Sequence, residues 1–230
     1  MPVQALARSN ILFYSTRRTA MAIHASGAMS ASSTHNPDPQ APAAHGTLAG
    51  RRIAFLATNG VEEVELGEPA AALRAAGAHT VLVAPEAGEI QAMKADVNPT
   101  RRLRVDMPVN EANADDFDGL VLPGGTTSPD HLRMDPQAVS FVRAFVQADK
   151  PIAAICHGAW TLINAEGVRG HTLTSWPSLR VDLTNAGAHW VDRDVVRDGM
   201  LVTSRNPHDL KVFCPAIIAL FAKAPHRAAQ

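Results

Sequence analysis

Cysteine is scarce in this chain, with Cys156 and Cys214 the two present in 230 residues. That excludes a disulfide framework and points to a reducing compartment, where a thiol stays free. An excess of one charge is missing as well. With 21 basic against 22 acidic residues the net charge is −1, so no electrostatic argument favours nucleic acid or an anionic membrane surface as a partner. No apolar run is long enough to span a bilayer, no spacing of His or Cys suits a metal ion, and no motif calls for a cofactor. The expectation is a soluble, cytoplasmic protein that handles small neutral or weakly polar ligands. An apolar content of 46% is enough for one globular core.

The first fifty residues differ from the rest. Ser, Ala, Thr and Pro abound there, three arginines occur by Arg18, and no acidic residue precedes Asp38. Residues 1–50 read as a disordered extension, with a targeting segment for organellar import or a later start at Met21 or Met29 as alternatives. Residues 51–224 form the domain and 225–230 a flexible tail. From Arg51 a rhythm of short apolar strands and amphipathic helices sets in. It predicts right-handed crossovers and an α/β fold with a mainly parallel sheet. Glu89 to Val109 lacks a helical period and reads as a hairpin on the sheet edge. Asp135-Pro136 caps a helix to Ala148. The turn at Asp198-Gly199 joins a strand pair, Trp190 to Val196 with Leu201 to Thr203.

The chemistry centres on Ala154-Ile155-Cys156-His157-Gly158, which follows an apolar strand and precedes a helix. Small residues two positions either side of Cys156 are what a nucleophile elbow needs, because the backbone turns too sharply there for larger side chains. The following helix aims its free N–H groups at the sulfur and predicts a thiolate. In an open parallel sheet the reactive crevice lies at the carboxyl ends of the strands. Two other segments reach that edge. Gly124 and Gly125 end a strand and let backbone N–H groups approach, so the amides of Gly125 and His157 are candidates for an oxyanion hole, with Gly158 in the same turn. Glu62, Glu63 and Glu65 follow the first strand. Glu65 is the one expected to point inward and donate to Cys156 from a protonated carboxyl; Glu62 and Glu63 read as solvated residues at a helix start. His157 is a candidate base, although consecutive residues do not ordinarily face one another, and Asp130 is the candidate that orients it.

Six motifs occur in order: Glu62 to Leu66, Leu120 to Gly125, Ser128 to Arg133, Ala154 to Gly158, Asn185 to Ala188 and Val202 to Arg205. Over about residues 51–222 the chain resembles the DJ/PfpI superfamily, in its PfpI-like branch near the bacterial general stress proteins. The resemblance implies a flavodoxin-like three-layer sandwich of the class I glutamine amidotransferase type, assembled as a homodimer or homohexamer. It implies that Cys156 is the nucleophile on a strained backbone and that Glu65 is its contacting glutamate. Peptidase-like members take a triad acid from a neighbouring subunit, and Asp130 stands at that position, one methylene shorter than the family's glutamate. Ala159 replaces a commoner proline.

Three functions follow from this reading. The first is a cofactor-independent glyoxalase or deglycase acting on a small electrophilic carbonyl or a glycated protein or peptide. The second is a cysteine peptidase with an intersubunit triad, and the third a redox sensor without turnover.

Overall fold

The computed structural model describes residues 46–223. Most of the amino-terminal extension and the carboxyl-terminal tail therefore lie outside the described residues. The elements run β1 (Arg52–Leu56), β2 (Val61–Glu62), α1 (Glu63–Ala75), β3 (His79–Ala84), β4 (Glu89–Lys94), β5 (Asn98–Arg104), β6 (Met107–Pro108) and β7 (Gly119–Leu122). They continue with α2 (Thr127–Met134), α3 (Pro136–Gln147), β8 (Ile152–Ile155), α4 (Ala159–Asn164), β9 (Thr172–Leu173), α5 (Arg180–Asn185), β10 (His189–Trp190), β11 (Val195–Asp198), β12 (Leu201–Ser204) and α6 (Leu210–Lys223). A seven-stranded sheet in the order β11-β12-β8-β7-β1-β3-β6 forms the middle layer, parallel except for β11 against β12.

Strand periodicity divides the core between the two faces of this sheet. Ile53 and Phe55 of β1 point to one side, where they meet Leu66, Leu73, Phe213 and Phe221 from α1 and α6. Ala54 and Leu56 point to the other and meet Phe141, Phe145 and Leu162 from α3 and α4. The result is the mainly parallel α/β fold that the alternating pattern predicts, in the three-layer form that the resemblance implies. The core reaches back to Leu48, which is fully buried and donates its N–H to the Ala76 carbonyl at 2.8 Å. Packed structure thus begins slightly before the boundary read at residue 50.

Local chemistry accounts for several boundaries. The Asp135 side chain accepts from the N–H groups of Gln137 and Ala138, and Pro136 fills the first helical position, as expected. α1 runs through Pro69, which leaves the Glu65 carbonyl without its usual intrahelical donor. Burial of Leu66, Ala70 and Leu73 holds that helix together despite the loss.

Two sequence readings are corrected. The stretch from Glu89 does form a hairpin of β4 and β5, but β4 pairs with β2, so the hairpin lies in a separate three-stranded sheet; only the short β6 after it sits on the main sheet's edge. Trp190 belongs to β10, paired with Leu173 of β9, and not to the β11-β12 hairpin. Ser128 to Arg133 is helical; Pro129 is tolerated because first-turn N–H groups need no intrahelical acceptor.

Candidate active site

β8 ends at Ile155, and the chain turns through a single 3₁₀ turn, Cys156–Gly158, into α4. Cys156 carries φ 60°, in the left-handed region that a non-glycine residue occupies only at a cost. This strained turn solves the adjacency problem. It folds the imidazole of His157 back so that Nδ1 lies 3.3 Å from Cys156 Sγ. Neighbours in sequence that would diverge on a regular helix form a Cys-His pair.

Glu65 reaches the same point from the first turn of α1. Its carboxyl is fully buried, lies against the Cys156 thiol, and accepts the Gly124 N–H through Oε2 at 2.9 Å. Oε1 has no hydrogen-bond partner among the described residues. Burial pushes Glu65 up to about 8, helped by the charges of Glu62 and Asp96 and opposed by its contacts with Cys156 and Gly124. At neutral pH the protonated form is therefore favoured, and the carboxyl points inward to the sulfur.

The sulfur itself departs from expectation. Burial pushes the Cys156 thiol up, and a charged Glu65 would push the same way; the N–H groups of His157 and Gly125, which face it, pull it down. Desolvation outweighs these two donors, so the thiol is favoured over the thiolate predicted from the elbow alone. The two groups compete for protons as one coupled unit. His157 complements them. Burial lowers its pKa, against a smaller upward push from Asp96, so its imidazole is neutral and free to take the thiol proton.

The two amides proposed for an oxyanion hole thus face the sulfur directly. The glycines around them are required by space. A Cβ on Gly124 would collide with Glu65 Oε2 and come within 2.6 Å of Cys156 Cβ, while Gly125 has φ +81° with its α-carbon against the Gly60 carbonyl. Gly158 serves packing: its missing Cβ makes room for the carbonyls of Leu122 and Pro123.

Asp130 is exposed on α2 and makes no hydrogen bond or ion pair with His157 among the described residues. The far nitrogen, Nε2, instead meets Ser178 Oγ at 3.4 Å, and Trp176 stacks on the ring at 5.9 Å between centroids. Ser178 is not among the site residues expected from the sequence, because no local pattern marks it.

It also misjudged Glu62. That side chain is 8% exposed, not solvated, and accepts the N–H groups of Ala95 and Asp96 at 3.2 and 3.3 Å. Both donors have positive φ, so their N–H groups converge on one acceptor. Asp96 in turn accepts the Thr126 N–H at 2.7 Å. The hairpin tip is thereby moored over the crevice, and Glu63 adds an ion pair to Arg101 of β5 at 2.7 Å. Glu62→Ala is expected to lower stability by about 1–3 kcal/mol, from the loss of a buried charged acceptor, read as a shift of the urea midpoint with unchanged slope.

Glu65 also sets a pH dependence. Its folded pKa, about 8, lies above its ordinary value of 4.5, so the folded state binds more protons than the unfolded one between those limits. Stability therefore falls as pH rises from about 4.5 to about 8. Unfolding free energy should decline by at least ~1 kcal/mol over that window, and Glu65→Gln should flatten the decline. Equal slopes in the two proteins would show that Glu65 is not the group responsible.

In a single protomer these groups open onto a crevice of about 1230 Å³ that includes Cys156, Glu65, Gly125, Trp176 and His208 and extends along α1 to Arg74. Among the described residues no group of three His, Cys, Asp or Glu is arranged to hold a metal, and no helix is long and apolar enough to cross a membrane.

A parallel α/β sandwich with a cysteine on a strained strand-to-helix elbow, a glycine pair and a buried glutamate defines a class of protein. A profile of the DJ-1/PfpI family matches residues 51–220, and the chain belongs to that family. It is 41% identical over 175 residues to general stress protein 18 of Bacillus subtilis, covering 76% of this chain and 99% of that one. It is also 41% identical over 165 residues to protein/nucleic acid deglycase 2 of Escherichia coli, covering 71% and 93%. Among solved structures, a two-domain protein from Anabaena variabilis with DJ-1/ThiJ/PfpI-like and ferritin-like domains superposes with TM-score 0.69 at 34% identity. That match covers 74% of this chain and 47% of the larger protein.

Proposed function

We propose that the protein is a cysteine-dependent stress-protection enzyme that acts on reactive carbonyls: methylglyoxal, or the early adducts it forms on proteins. The observation that carries this reading is the Cys156 sulfur, held at a positive-φ elbow between a neutral imidazole and a protonated buried carboxyl. Such a pair supplies a nucleophile and two proton carriers without a cofactor. Likeness to a named deglycase and to a general stress protein supports the same direction.

For methylglyoxal the steps balance as follows. The thiol proton passes to His157 Nδ1 as sulfur bonds to the aldehyde carbon, and the carbonyl π pair moves to oxygen. That oxygen forms beside the Gly125 and His157 amides and takes the proton back, which gives a hemithioacetal. A proton then moves from the former aldehyde carbon to the ketone carbon by way of an enediol, and the hydroxyl proton on the first carbon's oxygen passes to the ketone oxygen, both carried by His157 or Glu65. This turns the first carbon into a thioester and the second into an alcohol with no external oxidant. Water cleaves the thioester to lactate and restores the thiol. The crevice exceeds what a three-carbon aldehyde needs, which favours carbonyls still attached to a polypeptide.

The test is incubation of the full chain with methylglyoxal and a chiral assay for lactate. Lactate of one hand, formed by the wild type and lost in Cys156→Ala, is the expected result. No turnover by the wild type overturns the reading.

A further inference from the structure

The imidazole of His157 has two faces and two nitrogens, and each is engaged. Nδ1 lies 3.3 Å from Cys156 Sγ and Nε2 lies 3.4 Å from Ser178 Oγ. Trp176 stacks at an interplanar angle of 27°, and Trp160 packs against the ring with centroids 5.4 Å apart. The turn that supplies Trp176 and Ser178 is tied back to the elbow, because the Trp176 N–H donates to the Cys156 carbonyl at 3.2 Å. Leu179, at the end of that 3₁₀ turn, is fully buried and anchors it in the core. Elbow and turn therefore form one fixed frame around the ring.

We infer that Ser178 is a positioning residue for the Cys156 reaction: its hydroxyl oxygen accepts the Nε2–H of His157 and so leaves Nδ1 unprotonated toward the sulfur. The inference rests on the reading of Cys156 as the nucleophile. The physical reason is that a neutral imidazole carries one proton, and the nitrogen that bears it is decided by the hydrogen bond available to the other. Only the Nε2–H tautomer presents a lone pair to Sγ–H. Once the thiol proton arrives, both nitrogens are donors, Nδ1–H to the thiolate and Nε2–H to Ser178 Oγ, so the hydroxyl also stabilises the ion pair. The other groups around the ring do not perform this task. Trp160 donates its indole N–H to Asp182 at 2.8 Å, and Trp176 offers a ring face. Asp96 contributes charge to the ring, while its carboxylate is engaged by the Thr126 N–H.

The distance of 3.4 Å is long for a resting hydrogen bond, as is common in sites that tighten when the reaction begins. Ser178 is exposed, so its replacement leaves the core intact.

The experiment compares the wild type, Ser178→Ala and Ser178→Thr, each as the full chain labelled with ¹⁵N-histidine, with His157 assigned by its loss in His157→Gln. Imidazole nitrogen shifts at neutral pH read the tautomer, and iodoacetamide reads the reactivity of Cys156. The wild type is expected to show the Nε2–H form. Ser178→Ala should mix the two tautomers and slow alkylation about three- to tenfold, the effect of one hydrogen bond, and Ser178→Thr should restore both. A wild type in the Nδ1–H form, or nitrogen shifts and alkylation rates in Ser178→Ala equal to those of the wild type, would overturn the proposal. Failure of the nucleophile reading appears elsewhere, as lactate formation that survives Cys156→Ala while the tautomer result stands.

Discussion

Cys156→Ala is expected to form lactate from methylglyoxal no faster than buffer alone, while it folds and melts like the wild type. On the proposed mechanism the substitution removes the atom that bonds to the substrate. His157 and Glu65 remain, but without sulfur neither can form the hemithioacetal from which the later proton transfers start. Effects of groups that act as a unit do not add, so the residual rate is set by the missing nucleophile and not by the surviving acid and base. Cys214 cannot take over. It lies in α6, is half-buried, and burial pushes its thiol up to about 12. Alanine keeps the Cβ and the same positive φ, so the elbow is no more strained than before, and the melting temperature should move by only a few degrees. Cys156→Ser should be equally inactive, because a hydroxyl beside a neutral imidazole and a protonated carboxyl is a far weaker nucleophile than a thiol. Turnover in either variant comparable to the wild type would remove Cys156 from the mechanism.

Gly158→Ala should be among the most damaging single-methyl changes to the fold. A Cβ there would collide with the Leu122 carbonyl oxygen and stand 2.9 Å from its carbon and 3.0 Å from the Pro123 oxygen. All three are backbone atoms at the end of β7. That strand is held by β1 on one side and β8 on the other, so they cannot yield as a flexible side chain would. The cost should be about 2–3 kcal/mol or more, which for a domain of this size lowers the melting temperature by roughly 5–10 °C. The displacement would also move the elbow, so alkylation of Cys156 should change with stability. Gly199→Ala supplies the control: no atom lies within 4 Å of the added methyl, so only the left-handed backbone at φ 58° is penalised and the cost should be about 1–2 kcal/mol. Equal melting of the two variants would show that the close approach of Gly158 to β7 is not rigid.

The parts of the site that the sequence displayed are those with a local physical signature. Ala154 and Gly158 flank Cys156 because a sharp turn admits no larger residue, and that spacing survives in the bare sequence. Gly124-Gly125 after an apolar strand is equally local, as is Asp135-Pro136 before α3. Alternating short strands and helices were enough for a parallel α/β sandwich, because each strand must be covered on both faces. The inward position of Glu65 was read from the first strand's end at the crevice edge, and the resemblance to a family pointed to the same residue.

What escaped the sequence depends on contacts between distant segments. Glu62 looked solvated because the hairpin tip it holds is thirty residues further on, and Asp96 carried no motif at all. Ser178 reaches His157 only because the turn after β9 is tied to the elbow. The protonation of the site was the largest surprise. A helix start next to a cysteine argues for a thiolate as long as the sulfur is assumed to be solvated, but desolvation is a property of the whole fold, and at 6% exposure it reverses the sign. From sequence came the candidate nucleophile and the layer it stands in; tertiary packing decided where its proton rests, because the energy of a charge is set by everything around it and not by its neighbours along the chain.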